Sequence, residues 1–159
     1  MPAPSLGALF DFETQIESAV VTALAAVSVT AYASHATGNM ATPYCGVSYI
    51  HGGPFPSGNP RLFNNGTTWR EDFFQGTLQV SVITDRKRNE SSHSTYRGKV
   101  RNALYLYAST ITGTELPYLS LMELTETGTQ PNVSDMDNLD LSIINWSIRF
   151  AIKSTAWPS

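Results

Sequence analysis

Three histidines, one cysteine and a scatter of serines and acids are the side chains through which this sequence could do chemistry, and their spacing argues against most of it. His35, His51 and His93 lie too far apart to put two metal ligands on one helix or strand. Each reads as an isolated loop or surface histidine. Cys45 sits in a β-rich run with no His or basic neighbour to lower its pKa, so it reads as a small buried apolar residue rather than a nucleophile. Ser92-His93-Ser94 sets hydroxyls beside an imidazole, but a nucleophilic triad needs convergence in space and an orienting carboxylate, not adjacency. Helix capping accounts for those serines more simply. The glycines of His51-Gly52-Gly53-Pro54 and Gly98-Lys99 lack the spacing of a phosphate loop, and Pro54 removes a donor. Metal-dependent nuclease chemistry would need strand acids near a Lys. Asp85-Arg86-Lys87 is the nearest approach and does not recur, and Arg149 and Lys153 have no acidic neighbours in sequence. No catalytic, cofactor-binding or metal-ligating residue is expected, and no enzyme activity.

Charge is the feature left over. Between Asp85 and Arg101 stand Arg86, Lys87, Arg88, Arg97, Lys99 and Arg101 against Asp85 and Glu90, a local balance of +4. From Asn102 to Ser147 there is no Lys or Arg, and Glu115, Glu123, Glu126, Asp135, Asp137 and Asp140 give −6. Cations in the first half of a helix oppose its dipole, so something other than helix stability favours Arg97, Lys99 and Arg101 there. Arg97 and Arg101, with His93, are spaced by four and would line one ridge suited to an acidic surface. The run 85–95 has no aromatic residue to stack on bases, which disfavours specific nucleic-acid readout.

The elements that must position these residues follow from apolar spacing. Phe12, Ile16, Ala19, Val20, Ala23, Leu24 and Val27 form a helical stripe with Asp11 as N-cap, and Tyr96, Val100, Ala103, Leu104, Tyr107 and Ala108 form a second, ending before Gly113. Strands are expected over 29–34 and 44–50, divided by a turn at Thr37-Gly38-Asn39, then over 77–84 and 119–125. The last strand reads inward at Leu139, Leu141 and Ile143, then at Trp146, Ile148, Phe150 and Ile152. That parity change predicts a β-bulge near Ile144-Asn145. Residues 1–10 should be an extended arm and 51–72 a long loop, with Phe55, Phe63 and Trp69 as apolar anchors. The result is one α+β domain over 1–159, a mainly antiparallel sheet of about five strands with two helices on one face.

Composition agrees. A chain of 159 residues with 42% hydrophobic, 11% aromatic and 14% charged content has the makings of one packed core. No apolar run approaches the roughly 18 residues of a membrane span. The opening residues lack the charged start of a secretory signal, so cytosolic synthesis is expected and the Asn-x-Ser/Thr matches, such as Asn145-Trp146-Ser147, are read as chance. A net charge of −3 excludes a polycation that grips nucleic acid.

In order, the helix opening Asp11-Phe12-Glu13-Thr14-Gln15-Ile16-Glu17, the strand Leu78–Asp85, the basic turn, His93–Arg101, Leu116-Pro117-Tyr118-Leu119 and a long last strand closing near Ala156-Trp157 span nearly the whole chain. In this order the chain resembles the tail terminator, or tail-completion, proteins of long-tailed bacteriophages. The resemblance implies a virion protein, assembled in the host cytoplasm, that forms a homohexameric ring on the head-proximal end of the tail tube. Its implied partners are further copies of itself, the tail tube protein and a head–tail connector or neck protein, with double-stranded DNA only as cargo through the lumen. It implies no cofactor, no catalysis and no membrane, and leaves contractile and flexible tails open. Mapped loosely, Arg86, Lys87, Arg88, Arg97 and Arg101 form one contact surface and Asp135, Asp137 and Asp140 another. Another neck or minor tail protein of related fold, or a small ligand- or nucleic-acid-binding domain, are the alternatives.

Overall fold

The computed structural model describes residues 12–33, 41–54, 73–85, 90–110, 119–130 and 139–152. The expected arm, Asp11, the turn at 37–39, the loop residues Phe55, Phe63 and Trp69, the basic turn Arg86–Arg88, and Asp135 and Asp137 lie outside these residues. Within them the elements are α1 (Phe12–Ala25), β1 (Ala31–Ala33), β2 (Tyr44–Pro54), β3 (Phe73–Asp85), α2 (Glu90–Thr110), β4 (Leu119–Gln130) and β5 (Leu139–Ile152). They form an α+β fold whose five-stranded sheet runs β1-β2-β3-β5-β4. All neighbouring pairs are antiparallel except β1 with β2, which are parallel.

The inner face is built from register. Cys45, Val82 and Ser142 share one cross-strand row, Val47, Val80 and Ile144 the next, and Tyr49, Leu78 and Trp146 the third, all at most 4% exposed. Onto these rows α1 lays Ile16, Ala19, Val20 and Leu24, and α2 lays Val100, Ala103 and Leu104. Each fully buried Leu, Ile or Val contributes about 1.5–3 kcal/mol. The helices touch each other, with α1 over β1 and β2 and α2 over β3 and β4.

α1 ends in a Schellman motif, with Ser28 N–H bonded to Ala25 C=O at 3.0 Å and Val29 N–H to Leu24 C=O at 3.0 Å. The closing residue is Ser28 at φ 61°, a left-handed conformation that glycine usually fills. The hydrophobic contact that accompanies the motif is Leu24 with Val29, both core residues.

Several expectations are corrected. β2 runs on to Pro54, so His51–Pro54 belong to a strand rather than to the start of the long loop, with a register shift between His51 and Gly53. β3 begins at Phe73 and β4 reaches Gln130, both longer than the alternation indicated. The expected bulge in β5 does not exist: β3 and β5 pair without a shift from Phe73↔Ala151 to Asp85↔Leu139. Every even residue of β5 from Asp140 to Phe150 points inward, leaving Leu139, Leu141 and Ile143 half-buried on the face without helices. The irregularities lie in β4 instead, between Leu121 and Glu123 and between Glu126 and Gly128. Two bulges and two acids blunt an edge strand that would otherwise invite pairing. On the opposite side, Glu17 reaches from α1 to accept the Tyr49 N–H at 3.0 Å, occupying a donor on β2 beyond the end of three-residue β1. Among the described residues no helix is long and apolar enough to cross a membrane.

Candidate functional site

The two ends of the inner face differ in chemistry. At one end, β3 delivers Thr84 and β5 delivers its register partner Asp140 and, two residues on, Ser142. Over them stands His93, the fourth residue of α2. The imidazole is 6% exposed, with Nδ1 2.7 Å from Thr84 Oγ1 and Nε2 2.7 Å from Ser142 Oγ. Thr84, Asp140 and Ser142 are themselves 2%, 8% and 0% exposed. Burial holds the His93 pKa below its ordinary value, helped by the charge of Arg97 and opposed by that of Asp140.

This arrangement revises the reading of four residues. His93 is not a surface histidine on a docking ridge but a neutral bridge between α2 and two strands. The serines beside it lie inside the first turns of a helix that begins at Glu90. Asp140, expected on an exposed acidic surface, is inside this cluster. The Ser142–His93 pair has the separation of a nucleophile and its base, but with the serine wholly buried no substrate reaches it.

Along α2 the basic residues have separate fates. Arg101 is held within the subunit: Nε–H donates to both Glu126 carboxylate oxygens at 3.2 Å, and Nη2 donates to Glu126 Oε1 at 3.1 Å and Thr129 Oγ1 at 2.9 Å. Thr129 donates to Glu126 Oε1 at 2.8 Å and Tyr105 to Oε2 at 3.4 Å. Burial pushes the Glu126 pKa up, but these hydrogen bonds and the Arg101 charge outweigh it and leave the carboxyl below its usual range. Tyr105, 55% exposed, stands edge-on to the buried Trp146 ring at 5.3 Å. Lys99 Nζ lies 5.4 Å from the Tyr96 ring centre, and Arg97 is half-buried. Arg149, without acidic neighbours in sequence, finds Glu123 across the β4–β5 pairing at 2.9 Å.

The other end of the inner face is aromatic. Phe74 stacks on Phe150 at 5.8 Å, and His51 lies 5.5 Å from Phe74 and accepts or donates at Nδ1 to the Tyr49 hydroxyl at 2.9 Å. Tyr49 covers Gly76, where a Cβ would come within 2.6 Å of the Ile50 carbonyl oxygen and into the ring itself. Cys45, 0% exposed, has its thiol pKa pushed up to about 12 by burial, the reverse of a reactive cysteine. No group of three or more His, Cys, Asp or Glu side chains among the described residues is arranged to hold a metal ion.

No protein-family profile and no curated protein matches the chain. Among solved structures it is similar to a chain of one described as the virion of a native gene transfer agent (GTA) particle. That match has a TM-score of 0.59 at 14% identity, covering 87% of this chain and 95% of that one. At such identity the likeness is one of fold, and it runs through almost the whole of both chains.

Proposed function

We propose that this chain is a structural protein of a phage-like virion: a ring-forming tail terminator that caps the head-proximal end of the tail tube and joins it to the neck. The observation that carries the reading is the near end-to-end likeness to a virion subunit, with 95% of that chain covered. The sequence resemblance to tail terminators supports the finer assignment. The interior is consistent with it, because Cys45 and Ser142 are sealed in a packed core.

A ring built from one chain sets one patch of each copy against a different patch of the next, and segregated charge suits such a contact. The proposed contact residues are Arg86, Lys87, Arg88 and Arg97 on one side and Asp135 and Asp137 on the other, with Phe55, Phe63 and Trp69 as apolar anchors. Arg101 contributes chiefly within the subunit, through Glu126. The partners are further copies of the chain, the tail tube protein and a connector or neck protein, with DNA only passing through the lumen.

Light scattering after size exclusion, with and without assembled tube protein, tests this. A ring of about six copies at the tube end is expected, whether or not the free protein is monomeric, since the tube end can supply the missing interface. Single copies in the assembled particle would refute the ring. Binding to the neck without binding to the tube end would make the chain a neck protein of related fold.

A further inference from the structure

We propose that the first two turns of α2, residues 90–97, form an acid-released segment, latched to the sheet by His93 and hinged at Gly98. The inference does not depend on the ring reading. Three observations converge on it. Among the α2 residues whose burial is described, 93–105, the core contacts are concentrated at Val100, Ala103 and Leu104, at most 4% exposed, whereas from 93 to 99 only His93 is buried and Tyr96 packs partly against the core. Between the two stretches lies Gly98, where an added Cβ would meet nothing within 4 Å. No close packing requires a glycine there, and relative to alanine it eases local helix opening about fivefold. The latch itself bonds through both ring nitrogens to hydroxyls on two different strands.

A charged imidazole is poorly accommodated in that position. It would be buried in the first turn of a helix, where the dipole is positive. Arg97, one turn along α2, opposes the charge, and Asp140 on β5 favours it. β3 offers the neutral Thr84, the next residue Asp85 having the opposite strand parity. α1, packed on α2, carries Glu13 and Glu17, of which Glu17 is engaged at the Tyr49 N–H. Burial and Arg97 prevail.

On release His93 regains the ordinary pKa of about 6.5. Below that pH the released segment binds a proton that the latched one resists. Each further pH unit then multiplies the released population by up to about ten, until the pKa of the latched state is reached. The segment carries Arg97 and continues from Arg86–Arg88, so release would change how these cations are presented.

Hydrogen exchange of the full-length protein at pH 7.5 and pH 5.0, corrected for intrinsic rates, tests the proposal. The amides of 94–98 should lose protection at the lower pH, by up to about thirtyfold, while those of 101–108 keep theirs. His93→Gln, neutral at every pH, should abolish the acid step, and Gly98→Ala should raise protection about fivefold at both pH values. Should His93→Gln fail to fold, NMR titration of the wild-type imidazole decides: a pKa below the ordinary value of about 6.5 is expected. Equal protection at the two pH values, an acid step that survives in His93→Gln, loss spread evenly over the whole of α2, or an imidazole pKa of 6.5 or above would each overturn the latch.

Discussion

Ser28 closes α1 in a conformation that places its Cβ against its own backbone, at a cost of about 1–2 kcal/mol for an L-residue. The side chain is exposed, so nothing is lost in packing when it is removed. Ser28→Gly is therefore expected to raise unfolding stability by about 1 kcal/mol, part of the relief being offset by the added freedom of the unfolded chain. Urea denaturation at constant m-value measures it, and a destabilised variant would contradict the account. Gly76 is the opposite case. Its absent side chain is the space that Tyr49 fills, and backbone stands behind the ring, so neither neighbour can yield cheaply. Gly76→Ala should cost about 3 kcal/mol, and an unchanged denaturation midpoint would show that the ring moves aside at little cost.

At the scale of elements, the two helices and the sheet were legible because their apolar residues repeat at the periods those structures impose. β5 shows where that reasoning stopped. Keeping its even parity throughout would have put Asp140 and Ser142 in the core, and unpartnered polar groups there are costly. A bulge near Ile144 avoided that cost on paper. The protein accepts the polar residues and satisfies Ser142 with His93, a partner 49 residues away and invisible to any local pattern. Arg101 and Glu126 were likewise legible as charges but not as a pair, because only the placement of α2 across β4 brings them together. Their coupling in a double-mutant cycle with alanine should be about 1 kcal/mol, at the upper end for partly exposed pairs because the contact is multidentate. The depressed Glu126 pKa fixes the sign with pH. This stabilisation is present above the unfolded value of about 4.3 and is lost as pH falls through the lower folded value. Arg101→Ala should therefore lower stability at pH 7 and lose most of its effect in strong acid.

At the scale of the whole molecule, the last residue of β3 and the first of β5 meet at one end of the sheet, and oppositely charged stretches of the sequence adjoin them. Asp85 and Leu139 are register partners in adjacent strands, about 4.8 Å apart in the sheet. The basic turn 86–88 follows the first directly, and Asp137 and Asp135 precede the second by two and four residues. At up to about 3.5 Å per residue, these charges can reach each other within one subunit as readily as they can reach a neighbour. Reversal of Arg97 and Arg101 separates these cases poorly, because removing Arg101 also breaks its tie to Glu126. Replacing Arg86, Lys87 and Arg88 by Glu is the cleaner change, and at low salt it should block ring assembly while shifting Tm little. Replacing Asp135 and Asp137 by Lys should block it too. The decisive measurement mixes the two variants. If the attraction acts between copies, every interface of a ring that alternates them joins opposite charges, an acidic turn to a basic segment or a basic turn to an acidic one, and a hexamer alternates without a mismatch. Assembly should then return on mixing, although each variant fails alone. If the attraction acts within the subunit, mixing changes nothing, since each chain still carries its own like charges. Assembly indifferent to both reversals at low salt would remove electrostatics from the interface and leave Phe55, Phe63 and Trp69 to hold it.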